Sequence, residues 1–372
     1  MGGAEHFDAA LLRGRQYVNL DDERSGTITY GSAGGLKTTY SGAASREEIA
    51  PERSIVTIVL GGLQGGHSGV DIARGRPSAI KLLADGLCRL DDRLNQSPAD
   101  GPAVSYDLRL ISFARTDVIK SNAIPTEATA TLAVKDSDVA ALKRSLDGWF
   151  SALQTLYGPT EPNLKMSFSS STAPAGAKPL TASDTDNLLS FLRLVPHGVI
   201  RNIPELTPAV VETSSNLYNV TFGPGSTVTV ETSSRTSNPT LLGTQQAHLL
   251  TPLALTLTGL GEAYGLTATT GGGWYPAWPP NQDSALLAQA SAVYEKLYKD
   301  GFQKAVIHAG LECGWIVSRY GDMDCIAVGP TIQNPHTTSE RLDTRSVAPF
   351  YLAVKTVLKA LFEGQKSAAA AK

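Results

Sequence analysis

The chain has 372 residues, more than one ordinary hydrophobic core organises, so two or three domains are expected. With 42% apolar and 18% charged residues it reads as a soluble globular protein, and a net charge of −3 gives no electrostatic ground for binding nucleic acid or an anionic membrane. No run approaches the roughly 18 apolar residues of a membrane span.

The opening "MGGAEHFDAALLRG" lacks the basic-then-apolar order of a signal peptide. Cys88, Cys313 and Cys325 are few, odd in number and far apart, which suits a reducing compartment and points to the cytoplasm.

"RQYVNLDD" (15–22) reads as a short strand ending in acids. "TITYGSAGGLKTTY" (27–40) reads as a hairpin around Gly34-Gly35, and the β-branched run "SIVTIVLGGL" (54–63) as a buried strand. Ile80, Leu83, Ala84 and Leu87 recur with helical spacing, and Pro77 stands near the first turn, where its missing N–H is harmless. "DRLNQSPADGPA" (92–103) is loop. In "VSYDLRLISF" (104–113) Tyr106, Leu108 and Leu110 alternate with polar residues, giving a half-buried strand, with "TEATATLAV" (126–134) as its antiparallel neighbour. "SDVAALKRSLDGWFSALQTLYG" is a capped amphipathic helix. Glu161 to Lys178 reads as loop.

The order then recurs: a helix ("SDTDNLLSFLRLV"), two strands ("AVVETSSNLYNVTF" and "STVTVETSS") and another helix ("TQQAHLLTPLALTLTGLGEAYG"). Ile49–Trp278 is therefore expected to be one α+β block, and the recurrence suggests two similar halves. "GGGWYPAWPPNQDS" (271–284) is a Gly/Pro-rich boundary. Beyond it lie a helix through Leu286, Ala290 and Val293, the strands "KAVIHAG" and "DCIAVGP", and a last helix whose apolar face carries Val347, Phe350, Tyr351, Val354, Leu358 and Leu361. The expected architecture is α/β: residues 1–48 and 279–372 form one domain, interrupted by an inserted α+β domain, 49–278.

Six histidines are the first candidates for chemistry. His6, His197 and His248 stand in helix-like or loop contexts without clustered acids and read as solvated or packing residues. His67, His308 and His336 lie beside glycines or prolines at segment ends, where functional side chains project. Asp21, at the end of its strand, is a reasonable metal partner for His336, but catalytic zinc takes three protein ligands and these are two. Cys313 could be a nucleophile with His308; the commoner alternative is a small buried apolar residue. "GSAGG" and "GGLQGG" lack the spacing of phosphate-binding loops, so nucleotide binding is rejected.

The stretches "YVNLDDERSGTITYGSAGG", "GGHSGVDIARGRPSA", "SNAIPTEA", "VETSSNL", "GGWYPAWPPNQDS", "VIHAGLECGW" and "CIAVGPTIQNPHTTSERL" occur in this order along nearly the whole chain. Together they resemble the M20 metallopeptidases, within them the aminoacyl-histidine (cytosol non-specific) dipeptidases.

The resemblance implies a zinc-peptidase-like catalytic domain interrupted by a lid domain used for homodimer contacts. It further implies two divalent metal ions, zinc by preference, that activate water against the peptide bond of a dipeptide, Xaa-His or broader. Carried over by position, Asp21 and His336 are the metal ligands and His67 is a catalytic group acting on the scissile carbonyl. Asn122, Asn216, Arg235 and Glu312 hold the substrate. Asp22 stands where the family has serine, which leaves the choice between adjacent acids open, and Pro77–Ala79 replaces the usual Ala-Asn-Ala or Gly-Asn-Ala.

The family's His-x-Asp motif, bridging aspartate and Glu-Glu pair lie before the "NLD" strand, and this sequence opens "MGGAEH" instead, with Glu5 and His6 out of register to replace them. The expectation is that the complete enzyme carries those motifs upstream. The chain as written would then hold neither two metal ions nor a useful dipeptidase activity. The alternative is a naturally shortened, non-catalytic protein that binds peptides or dimerises.

Overall fold

The computed structural model describes residues 2–90, 106–172, 176–222, 227–244, 251–335 and 339–370. His248, His336 and the expected loop 92–103 lie outside the described residues.

After the short helix α1 (Gly2–Glu5) come β1 (Gln16–Asn19), β2 (Thr27–Ser32), β3 (Gly34–Ala43), β4 (Arg53–Gly61) and β5 (Gly66–His67). Next are α2 (Ala79–Leu90), β6 (Arg109–Arg115), β7 (Ala123–Ile124), β8 (Ala128–Lys135), α3 (Val139–Tyr157) and β9 (Lys165–Thr172). Then follow α4 (Ala182–Leu194), β10 (Gly198–Ile203), β11 (Val210–Phe222), β12 (Thr227–Thr236), α5 (Pro239–Leu242), α6 (Pro252–Ala263) and β13 (Thr267–Tyr275). The last elements are α7 (Ala285–Tyr298), β14 (Gln303–Ile307), α8 (Glu312–Tyr320), β15 (Asp324–Ala327), β16 (Ile332–Gln333), β17 (Arg341–Leu342) and α9 (Val347–Ala370).

Two sheets organise these elements. The smaller, in the order β1-β15-β2-β14, joins the two ends of the chain: β1 runs parallel to β15, and β14 parallel to β2. Its one face packs on α7 and α9 through Ile28, Leu286, Leu287 and Val357, the other on α8 through Cys313 and Ile316. The larger sheet has nine strands, β13-β3-β12-β11-β6-β8-β4-β9 with β10 attached to β11. Its main core includes Val56, Ile58 and Leu132 from the strands and Leu83 and Phe191 from α2 and α4.

The expected hairpin at Gly34-Gly35 is not formed. β2 belongs to the small sheet and β3 to the large one, so the chain crosses from sheet to sheet at Ala33. The glycines serve close approach instead: a Cβ on Gly34 would overlap Leu242 and the backbone at Pro276-Ala277.

The similar halves are present, but nested rather than in tandem. β4, α2, β6, β8, α3 and β9 form a β-α-β-β-α-β unit whose strands stand side by side as second, third, first, fourth. β3, α4, β11, β12, α6 and β13 repeat that order and that arrangement. The first unit lies within the second, between its first strand and first helix. The two join edge to edge through β6 and β11, and their matching helices α2 and α4 pack together. A nested duplication leaves no simple period in the sequence, and so it read only as a recurring order.

Other differences are local. Residues 165–172, expected as loop, form the edge strand β9 on β4. A Ser-rich edge strand buries little and carries no strong apolar alternation. α3 begins after a 3-10 turn, and its N-cap Asp138 makes no side-chain cap bond, unlike Thr181 of α4 and Ser284 of α7. The glycines 271–273 lie inside β13, where register shifts accommodate them, rather than in a boundary loop. On α9 Phe350, Val354 and Leu361 of the expected face do pack on the core, together with Ala353 and Val357, while Val347, Tyr351 and Leu358 are exposed.

Candidate active site

His67 sits on a frame built by glycines. Gly65 and Gly66 adopt positive φ, 60° and 139°, which side chains other than glycine's rarely tolerate. β5 then pairs with β7, setting His67 opposite Ala123. Asp71 Oδ2 accepts the His67 backbone N–H at 2.9 Å, and the carboxylate is paired with Arg74 through Oδ1 at 3.1 Å and with Arg76 through Oδ2 at 3.8 Å. The aspartate of "HSGVD" is thus a brace for the loop. His67 Nδ1 accepts two backbone hydrogen bonds, from Gly69 and Val70, each 3.1 Å long. With both donors aimed at Nδ1, the neutral ring carries its proton on Nε2 and acts as a donor there.

Asn122 and Asn216 belong to the same frame. The Asn122 carbonyl accepts the Ser68 N–H at 2.8 Å, while its side chain is exposed at the rim. Asn216 is 1% exposed on β11, and its Nδ2 donates to the carbonyls of Ser121 and Ala123 at 3.2 and 3.1 Å. Those bonds tie the Asn122 turn to the large sheet.

Arg235, on β12, is 8% exposed and faces Ser214 across the ladder. Its Nη1 donates to the Tyr275 hydroxyl at 2.6 Å. His308, in the turn after β14, reaches this group from the small sheet: its Nε2 is 2.7 Å from Ser214 Oγ. A Cβ on Gly69 would overlap the His308 carbonyl oxygen, so the His67 loop lies directly on that turn. Burial first, and then the Arg235 charge and His67, pull the His308 imidazole down to about 3, keeping it neutral. His308 read in the sequence as one of three histidines at segment ends and as a partner for Cys313; its actual partner, Ser214, comes from a strand 94 positions away in sequence. No local signal carries such a contact.

The acids gather at the carboxyl end of β1. Asp22 is 4% exposed and accepts hydrogen bonds from Arg24 and Thr29, so its charge is committed to structure. Asp21 is exposed, with its backbone N–H on Asn19 Oδ1 at 3.2 Å. Of the two acids left open by the sequence, Asp21 is therefore the exposed one and Asp22 the buried one. Glu312 opens α8. Burial opposes its ionisation, but hydrogen bonds, among them its own backbone N–H and the Asn19 side chain, hold its carboxyl below the ordinary range. Asp21 and Glu312 both act on Tyr17 and so share one neighbourhood.

Among the described residues no three His, Cys, Asp or Glu side chains lie together as a metal site would require. The described residues therefore do not fit a two-metal centre. Cys313 is fully buried, and burial followed by the adjacent Cys325 raises its thiol well above the ordinary value, so it is no nucleophile. His197 is a packing residue, its Nδ1 accepting the Leu217 N–H at 3.2 Å. Among the described residues no helix is long and apolar enough to cross a membrane.

Comparison with known proteins gives this arrangement a family. Residues 58–161, most of the inner of the two nested units, match the M20 peptidase dimerisation domain. The chain is similar to the cytosol non-specific dipeptidase of Escherichia coli (strain K12), at 32% identity over 359 residues, which cover 96% of this chain and 68% of that protein. The structure is similar to that of the aminoacylhistidine dipeptidase from Vibrio alginolyticus, with a TM-score of 0.81 and 30% identity, covering 98% of this chain and 68% of that one. The α/β fold with an inserted α+β lid is thus a known one, and this chain belongs to the M20 peptidases, in their dipeptidase branch.

Proposed function

We propose that this protein serves the hydrolysis of dipeptides, Xaa-His or broader in range, in the cytoplasm. The observation that carries the reading is the pair of backbone hydrogen bonds into His67 Nδ1, which leaves Nε2 to donate, in the same cluster as the buried cation Arg235 through the His308 turn. A dipeptide has a carbonyl beside the scissile bond and a free carboxylate one residue on. A neutral imidazole donor suits the oxygen of that carbonyl, on which negative charge builds when water adds to the carbon. A guanidinium suits the carboxylate. The C–N bond then breaks, the hydroxyl of the added water stays on the carbon, and the proton that the water gives up ends on the departing amine. Asn216 positions the Asn122 turn, Asn122 meets substrate at the rim, and Glu312 suits its amino group.

The family resemblance implies two divalent metal ions, with Asp21 and His336 contributing ligands. Because the described residues do not make up such a centre, we derive no step through metal and expect the 372-residue chain alone to turn over dipeptides weakly or not at all. A homodimer through the lid also belongs to this reading. So does a division into units that follows the sheets, with the crossings near Ala33 and residues 276–284.

The test is to titrate the chain with alanyl-histidine by calorimetry, and to follow histidine release with zinc, manganese or cobalt added. Saturable binding that Arg235→Ala abolishes supports the reading, whatever the turnover. Absence of binding at millimolar dipeptide would overturn it. The second reading, a non-catalytic peptide-binding protein, is favoured by the lack of a three-ligand cluster among the described residues; turnover stimulated by metal would exclude it.

A further inference from the structure

Arg235 does not stand alone at the position proposed for the substrate carboxylate. Tyr275 ends β13, and the register Tyr275↔Gly35↔Arg235 runs across β13, β3 and β12. Gly35 is what lets the tyrosine cross the intervening strand: a Cβ there would lie 2.7 Å from the Tyr275 hydroxyl and 2.8 Å from two of its ring carbons. The hydroxyl oxygen accepts from Arg235 Nη1 at 2.6 Å, and among the described residues no other hydrogen bond engages it. An acceptor bond to arginine leaves the phenolic hydrogen to be given elsewhere.

We propose that Tyr275 is a specificity-determining residue: its hydroxyl, held by Arg235 Nη1, donates to the same substrate carboxylate that the guanidinium binds. The pair forms a mixed clamp that selects dipeptides with a free carboxyl terminus over those whose terminus is an amide. Burial of the phenol raises its pKa against the opposing pull of Arg235, so it keeps the hydrogen it donates. The inference rests on the dipeptide reading of the site, and the gap left by Gly35 and filled by the Tyr275 ring is the independent feature that supports it.

The experiment compares binding of alanyl-histidine and its carboxyl-terminal amide to the full chain, by intrinsic fluorescence of the neighbouring Trp274 and Trp278. The intact protein should prefer the free acid by at least about tenfold, and Tyr275→Phe, which keeps the ring, should weaken the acid by about tenfold while leaving the amide unchanged. Gly35→Ala should displace the ring and reduce the preference in the same way. An unchanged acid-to-amide ratio in Tyr275→Phe overturns the inference. Arg235→Lys separates the two claims: if it removes the preference while Tyr275→Phe does not, the dipeptide reading stands and the clamp fails. If the intact protein shows no preference at all, both fail.

Discussion

The Ser214 hydroxyl and the His308 imidazole, 2.7 Å apart, join the large sheet to the small one. Ser214 lies on β11 beside Arg235, and His308 on the turn against which the His67 loop rests. The two sheets therefore share a buried hydrogen bond beside the candidate site.

Removing that bond should loosen the site. Ser214→Ala leaves the His308 Nε2 buried without its partner, at a cost of roughly 1–3 kcal/mol. The expected outcome is a lower thermal midpoint together with several-fold weaker dipeptide binding, measured by calorimetry. An unchanged affinity would mean that the bond holds the sheets without shaping the site.

Acid should act on two buried histidines. His197, desolvated by burial and repelled by Lys81, is held down to about 3, as is His308, against an ordinary value of 6.5. Between those values the unfolded chain binds protons that the folded chain refuses, so stability is full above pH 6.5 and falls as pH drops below it. Denaturant midpoints from pH 7 to 4.5 should show this decline, and His197→Asn should flatten it. A decline of the same slope in that variant would place the effect in other groups.

The neighbouring acids at the end of β1 should separate cleanly. Asp22→Asn loses a charged acceptor shared by Arg24 and Thr29, costing roughly 1.5–3 kcal/mol. Asp21→Asn, at an exposed position, should change stability by less than about 0.5 kcal/mol. Chemical denaturation of both variants checks the assignment; equal losses would refute it.

Helix α2 offers a control away from the site. Leu87 is fully buried between the large sheet and the helices that cover it, so Leu87→Ala should cost about 2–5 kcal/mol. Dipeptide affinity of the folded fraction, measured by the same titration, should stay unchanged.

What the sequence showed follows from what is local. The helical spacing of Ile80, Leu83, Ala84 and Leu87 and the alternation of Tyr106, Leu108 and Leu110 both mark faces that are buried in the structure. His67 was legible because glycines announce a special backbone. The crossing at Ala33 was not, because a glycine pair looks the same whether it turns a hairpin or lets another strand pass close by. β9 was hidden by its serines, and the nested repeat by the insertion of one unit inside the other. Tyr275 was hidden because its importance comes from the missing side chain of Gly35, which is far from both Arg235 and Tyr275 in sequence but stands between them in the sheet.

The site turns on which nitrogen of one ring holds the proton, and nitrogen-15 NMR of His67 in the full chain, with and without alanyl-histidine, tests it most directly. The bonds into Nδ1 predict an imidazole protonated at Nε2, with Nδ1 bare, whose Nε2–H resonance shifts when the dipeptide binds. A ring protonated at Nδ1, or one that ignores the dipeptide at saturation, would contradict it.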